Sequence, residues 1–460
     1  MGGGLAGCAA AMRLAQPGQR VTLLESRRQL GGRAGSFLPQ AARSPSTSIE
    51  ATSIDYCQHV GMGCCSNLLH LIDLLGQQAD WKRERQLHFY SSAGAYRRLS
   101  ALPFSPAPLH LSGWLWRWPD LSLLDRYRIA SGMLKLKRLE LTAELDAHSA
   151  LEWLQAARQT PRGISNFWTT ILVSALGEQL SNVSLHAMCK VLQDGFLNHC
   201  DAYHLLIPQR PLSELFGSEM QKHLEQSGVE VQLSSPAVAI QTTSLGRMKV
   251  VTSSAEFTAD SIVVAVPWHH IANLAVNSSV PELSQLASHT AQLRASAIAG
   301  VHTWWDRAWL PTAHAAIVGR TCQWVFPRPT TPLPAASSTT TISAAAEIAA
   351  SEHYYQIVIS ASHRLRGKTS DDIAELICEE IRALFPRARP ARLLGLKAVN
   401  DPHAVFSIRP GSLQHRPSTR LTPTIALAGD WTNTGWPATM EGAILSGFRA
   451  AAEIAANRSP

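Results

Sequence analysis

MGGGLAGCAAAMRLAQPGQRVTLLESRRQLGGRAGSF, residues 1–37, is the stretch on which the reading of the whole chain turns. Gly2, Gly4 and Gly7 have the spacing G-x-G-x-x-G, and the Ala- and Leu-rich stretch 5–16 reads as a helix closed by Pro17-Gly18. Val21-Thr22-Leu23-Leu24 follows as a short apolar strand with Glu25 at its end. Glycines so spaced let the backbone approach a pyrophosphate seated on a helix N-terminus, where unpaired N–H groups and the helix dipole favour an anion. Glu25 stands roughly twenty residues beyond them, where a carboxylate meets the adenosine ribose. A lone glycine motif also marks ordinary helix-entry turns; helix, strand and terminal carboxylate in this order point to a dinucleotide site. Such a fold leads into its glycines from an apolar central strand, and none precedes Gly2. The expectation drawn from this is that the protein extends upstream of Met1 by a Val/Ile-rich strand.

The other end of the chain repeats the chemistry. Ile425-Ala426-Leu427-Ala428 reads as a buried strand broken by Gly429-Asp430, and Met440-Glu441-Gly442-Ala443 opens a helix whose small residues permit close packing. A strand, a Gly-Asp corner and a helix start form a second place friendly to an anion. Between the ends, Gly228 to Val231 with Val238, and Asp260 followed by Ser261 to Pro267, read as further strands of the same domain.

Gly31-Gly32-Arg33, soon after the ribose-binding strand, resembles the turn of flavin oxidoreductases in the amine-oxidase and phytoene-desaturase superfamily. An arginine beside tight glycines is suited to bidentate pairing with phosphate. The resemblance implies FAD rather than NAD, held by Gly2, Gly4, Gly7, Glu25, Gly32, Arg33, Val238, Gly429, Asp430 and Met440, with Val238 against the adenine and Asp430 near the ribityl–phosphate. Within that superfamily the chain is similar to the hydroxysqualene dehydroxylases, the squalene-associated FAD-dependent desaturase-like proteins. GDWTNTGWPATMEGAILSG (residues 429–447) is the most specific stretch; Asp55-Tyr56-Cys57-Gln58-His59 with Gly63, Phe167-Trp168, Val191 to Phe196 and Val301 to Arg307 extend it along most of the chain. Tyr56-Cys57 departs from the usual Asn-Gly of that family. The resemblance implies reductive loss of an allylic hydroxyl, in hopanoid or squalene biosynthesis. That chemistry needs one acid inside an apolar, aromatic-lined tunnel. His59 is the first candidate acid, with Gln58 orienting substrate or flavin; His59 also reads as a structural histidine beside the cofactor. Asp306 and Glu441 are further candidates, and Trp431 and Trp436 read as tunnel walls or as loop packing. A carotenoid-type desaturase or isomerase, a flavin amine oxidase and a non-catalytic isoprenoid-binding protein stand as alternatives.

The remaining composition narrows the setting. The chain has 460 residues, 45% hydrophobic and 16% charged, with 41 Lys+Arg against 34 Asp+Glu. So apolar a chain is not disordered, and its spread-out positive charge does not make a nucleic-acid footprint. The 8 Cys form no CxxC pair and no zinc-type spacing, so no metal is expected. No apolar run reaches the length of a spanning helix and no signal peptide is evident, which sets the expectation of a cytoplasmic protein. Residues 109–138 mix Trp114, Trp116, Trp118 and several Leu with basic residues, the composition of an interfacial helix, so peripheral contact with the inner face of the cytoplasmic membrane is a further expectation. The flavin's electron donor is not indicated.

The expected architecture is α/β: a Rossmann-like FAD-binding domain, its first strand absent before Gly2, with an inserted α+β substrate domain. The FAD-binding pieces are placed at 1–75, 206–275 and 401–460. The substrate pieces are placed at 76–205, mostly helical, and at 276–400, a sheet with a Pro/Ser/Thr/Ala-rich surface loop at 327–350.

Overall fold

The sheet on the cofactor side is assembled from both ends of the chain. In the computed structural model, which describes residues 1–37, 53–244, 246–328 and 353–457, Val21–Leu24 pairs in parallel with Val229–Gln232. Ile262–Val264 pairs in parallel with Ile425–Leu427, which pairs antiparallel with Arg420–Thr422. Met1 and Gly2 lie between these two groups. The Met1 amino group donates to Val263 O (2.9 Å), Ala265 N–H donates to Met1 O (2.9 Å), and Gly2 N–H donates to Leu24 O (2.8 Å). Two residues thus occupy the position between the parallel pairs where the sequence pattern called for a whole strand. Burial of the Met1 ammonium strips its hydration and pulls its pKa down to about 6.

Small side chains set the layer above this sheet. The helix Leu5–Leu14 buries Leu5 to Ala11 and packs against the helix Met440–Ala456. A Cβ on Gly447 would overlap Ala6 O, so glycine is what lets the two backbones approach. An antiparallel meander, Ala237–Thr242, Met248–Thr252 and Glu256–Ala259, completes this side.

The inserted domain is built on a seven-stranded sheet. Its order is Leu393–Phe406, Ala295–Trp305, His353–Ser360, Trp324–Pro327, Ala315–Ile317, Leu87–Tyr90 and Tyr96–Leu99. The helix Ser370–Leu384 covers one face. Ile373, Ile377, Ile381 and Leu384 recur at helical spacing and join Val325, Ile357 and Ile359 in one core. Thr369 and Asp372 start that helix with a capping box. The helical layer includes Ser112–Arg117, Leu123–Arg138, Thr169–Leu176 and Leu185–Leu192. Strands 87–90 and 96–99 precede these helices yet enter the large sheet, so the stretch 76–205 contributes to both layers. Of the low-complexity insert, Pro327 ends a strand; residues 329–350 lie outside the described residues. The whole is the α/β domain with an inserted α+β domain that the sequence pattern implied.

Candidate active site

The cradle at the head of the sheet is made by backbone conformation. Gly2 has φ +97° and sits against Ala265; a Cβ on it would lie 2.5 Å from Ala265 O. A Cβ on Gly7 would fall on Gly2 O, so Gly7 serves the close packing of helix on turn and does not line the cavity. Gly4 faces open space, with Gly32 Cα its nearest neighbour at 3.9 Å from a built Cβ. Glu25 is 6% exposed and locked: its Oε2 accepts from Gly3 N–H (2.6 Å), its Oε1 from Arg27 N–H (2.7 Å) and Ser26 Oγ (3.0 Å). Gly2, Gly4, Glu25, Gly32, Arg33, Val238, Gly429, Asp430 and Met440 all border one cavity.

Arg33 ties the two ends of the chain together at this cradle. Its Nη2 is 2.6 Å from Asp430 Oδ1 and its Nη1 donates to Ala404 O (2.8 Å). Asp430 is only 3% exposed, and a carboxylate so buried needs a countercharge. Arg33 therefore staples the N-terminal turn to the C-terminal Gly-Asp corner while it borders the cavity. The strand–corner–helix segment follows as expected. Gly429 has φ +141° with the Trp431 indole packed on it, Trp431 Nε1 donates to Val266 O (3.0 Å), and Thr439 Oγ1 caps the helix by accepting from Gly442 N–H (3.1 Å).

The cavity has a volume of about 810 Å³ and continues from this cradle into the inserted domain. The walls there include Phe89, Trp114, Phe196, Tyr203, Trp324 and Phe326. No Asp, Glu, Lys or Arg is among the lining residues 87–89, 114, 170–176, 191–205, 324–326 and 358. Gln58 and His59 line it too. The Gln58 Nε2 donates to its neighbour's carbonyl, His59 O (3.3 Å). His59 Nδ1 is 2.9 Å from Cys57 O. A carbonyl only accepts, so Nδ1 carries the hydrogen and the neutral ring leaves its lone pair on Nε2. Burial pushes the His59 pKa down, the Cys57 carbonyl and the Asp55 charge opposing. Asp55, raised by burial, is held by Ser36 Oγ (2.6 Å) and Leu212 N–H (2.8 Å).

Of the other acid candidates, Glu441 also borders the cavity and Asp306 does not. Glu441 is buried and caps the helix Ser66–Leu74, accepting from Asn67 N–H (3.1 Å), Asn67 Nδ2 (2.6 Å) and Leu68 N–H (2.9 Å). Asp306 pairs with Arg307 (3.3 Å) and Arg392 (3.3 Å), away from the cavity lining. Trp431 and Trp436 both border the cavity.

Sequence reasoning missed Arg416. Its Nη2 donates to Trp436 O (2.7 Å), Asp430 O (3.1 Å) and Thr432 O, and its guanidinium lies 4.9 Å from the Phe406 ring. One buried cation thus shapes the loop 430–436, and burial lowers its pKa to about 10. An arginine in a loop carries no spacing signal that would have revealed it. Ligand atoms of Glu84, His88 and His314 also gather within 4.8 Å of one another. Glu84 is paired with Lys82 (3.2 Å) and His314 Nε2 accepts from His88 N–H (3.2 Å), so those groups have protein partners.

A Gly-lined cradle with a locked carboxylate at its rim fits a bound dinucleotide, and the architecture is that of an FAD-dependent oxidoreductase. The chain belongs to the flavin containing amine oxidoreductase family, whose sequence model matches residues 5–455. Among curated relatives it is 24% identical to the 15-cis-phytoene desaturase of Synechococcus elongatus over 489 residues, covering 99% of this chain and 95% of the relative. It is 22% identical to the zeta-carotene desaturase of Synechocystis sp. over 498 residues, covering 100% and 97%. Among solved structures, a putrescine oxidase triple mutant superposes with TM-score 0.70 at 15% identity over 100% of this chain and 98% of that one. Cyclohexylamine oxidase from Brevibacterium oxydans gives 0.66 at 16% identity over 99% and 97%. At such identities the structural likeness is one of fold.

Proposed function

We propose that this flavoenzyme acts on long isoprenoids and that its reaction is reductive removal of the allylic hydroxyl of hydroxysqualene, giving squalene. The observation that carries the reading is the single cavity with two unlike arms, a backbone-lined cradle and an aromatic, uncharged extension. FAD bound in the cradle supplies a two-electron donor and acceptor that the side chains do not. On this reading Gly2, Gly4 and Gly32 admit the pyrophosphate, Gly7 fixes the turn, Glu25 takes the ribose and Val238 lies at the adenine. Gly429, Asp430 and Met440 bound the flavin end, with Arg33 holding Asp430 in place. The aromatic walls exclude water and present π-faces to the positive charge that develops as an allylic hydroxyl leaves. His59 hands a proton to that hydroxyl, and Gln58 positions it. The resemblance of residues 429–447 favours this alcohol over other isoprenoids.

Carotenoid desaturation has its own specific support. A neutral His59 with its lone pair on Nε2 accepts a proton, as desaturation requires, and the curated relatives named above are desaturases. A cationic amine, by contrast, finds no carboxylate among the lining residues around Phe89, Trp114, Phe196 and Trp324, although Asp401 and Glu441 border the cavity elsewhere.

The test is an anaerobic incubation of the FAD-loaded, chemically reduced protein with hydroxysqualene, followed by mass spectrometry. Squalene should form as the flavin reoxidises. Its absence from a fully flavinylated protein, with new double bonds in phytoene given to the oxidised form, would replace this reading by desaturation. The pH profile separates the two roles of His59. As an acid it works only when protonated, so the rate should climb as pH falls below about 6.5 towards its depressed pKa; as a base the slope has the opposite sign. His59→Gln should cost about a hundredfold in rate with FAD occupancy unchanged.

A further inference from the structure

We propose that the face formed by residues 102–109 and the helices Ser112–Arg117 and Leu123–Arg138 docks on an anionic lipid bilayer. Nine of the fourteen exposed large hydrophobic side chains among the described residues fall between 102 and 141. Phe104, Leu109, Trp116, Leu123, Leu124 and Tyr127 are each more than half exposed. So dense an apolar surface marks an interaction site, not a tolerated scatter.

These residues share one surface. The Trp116 ring lies 5.7 Å from the Arg126 guanidinium, the two helices pack together, and Lys137 Nζ donates to Ala107 O (3.4 Å). The structure also sorts the three tryptophans that composition had grouped. Trp114 and Trp118 are 4% and 1% exposed, and Trp118 Nε1 donates to Asn166 O (3.0 Å), so Trp116 alone of the three faces outward. Trp114 borders the cavity, so one short helix has the substrate arm on one side and solvent on the other.

Charge selects the occupant. Residues 101–138 hold six Lys and Arg against two Asp, and Asp125 is buried in the capping box with Ser122. A second copy of this face would bring like charges together, whereas anionic headgroups complement them. Apolar side chains interspersed with Lys and Arg are the composition of a surface that lies in the headgroup region. No helix among the described residues is long and apolar enough to cross a membrane, so the contact is lateral. Delivery of substrate through this surface rests on the isoprenoid reading; the surface itself stands on exposure, continuity and charge.

Flotation of the FAD-loaded protein with two vesicle types tests this. One is phosphatidylcholine alone; the other contains about one third phosphatidylglycerol. The protein should float with the anionic vesicles, and about tenfold less with the neutral ones. The triple variant W116S/L123S/L124S, altered only at exposed positions, should lose about a hundredfold in partitioning with its flavin spectrum unchanged. K135Q/K137Q should weaken binding to anionic vesicles alone, by roughly tenfold at low salt. A wild type that floats with neither vesicle overturns the proposal, as does a triple variant that binds like wild type. So does a triple variant whose only change is dissociation of a dimer in solution. Activity on detergent-dispersed substrate reports the function separately: binding without turnover sinks the isoprenoid reading and leaves the docking surface intact.

Discussion

The two arms of the cavity are made of different materials. The cradle is backbone and glycine, with two charged side chains pinned by short hydrogen bonds, Glu25 to Gly3 and Arg33 to Asp430, and Arg416 behind it bonded to three carbonyls of the loop 430–436. The aromatic arm is side chains from four distant stretches, around residues 89, 114, 196 and 324, packed edge to face. Backbone geometry tolerates no substitution that adds a Cβ where another chain atom already sits. A side-chain wall tolerates exchange among shapes of similar volume. Substitutions in the first arm should therefore act through FAD occupancy and folding, and those in the second through substrate affinity alone.

The largest effect belongs to Gly7→Val. Its branched side chain would collide with Gly2 O, in a residue whose N–H is held by Leu24 O. Overpacking against backbone leaves no rotamer to escape into. The expected outcome is a protein with no bound flavin and little soluble yield, read from the visible spectrum after purification. A yellow, monodisperse Gly7→Val protein would break the distinction between the arms at its firmest point.

Acid should act next, and on the substrate-side sheet. His302 and His314 are fully buried, with pKa values lowered by burial to about 4 and about 3. Both are neutral in the folded protein while the unfolded chain takes up their protons below about 6.5. Their stabilisation is thus complete above about 6.5 and declines as pH falls towards the folded values. Between pH 7 and 5 each should cost about 2 kcal/mol, so the urea midpoint should drop steeply over that window. A midpoint indifferent to pH there would mean that these rings are hydrated or carry a compensated charge in the folded protein.

Arg416→Met comes third, at about 3 kcal/mol, because it strands several buried carbonyls of the loop 430–436 without a donor. Arg416→Lys should rescue little, since a single ammonium does not span acceptors that a planar fork reaches together. The check is thermal melting with FAD release followed in the same trace. Lysine restoring wild-type behaviour would show that charge, not the fork, shapes the loop.

How much of this was readable in advance follows the same division. Gly2, Gly4, Glu25 and the 429–447 segment stand in contiguous stretches whose spacing is dictated by backbone requirements, so their places in the fold were legible. Only the role of Gly7, packing instead of lining, and the partner of Arg33 needed coordinates. Arg33 and Asp430 lie 397 residues apart, and a pairing that distant leaves no local pattern. The tryptophans show the limit in miniature. Trp114, Trp116 and Trp118 are two apart in sequence, yet a single helical turn sends the first inward and the second out, while the third is buried where the helix has ended. The walls of the aromatic arm come from segments with no shared motif, and strands 87–90 and 96–99 gave no sign of joining a sheet whose other strands lie some 200 residues on.

Trp114→Phe is the smallest and sharpest test of the comparison. The indole meets Tyr203 at 5.1 Å and Phe196 at 6.2 Å, both edge to face, and its Nε1 has no hydrogen-bond partner. Phenylalanine therefore forfeits no hydrogen bond; it gives up only ring area against the cavity and its neighbours. The exchange should cost about 1 kcal/mol of substrate binding, roughly a fivefold rise in KM. Its ring partners, Tyr203 and Phe196, both belong to the aromatic arm, so the flavin spectrum, FAD occupancy and rate at saturating substrate should match the wild type. A fivefold change in KM alone would mark the aromatic arm as a binding surface separable from the cradle. A loss of flavin or of kcat from the same substitution would show that the arms are mechanically one, and that the aromatic wall also sets the geometry in which the reaction occurs.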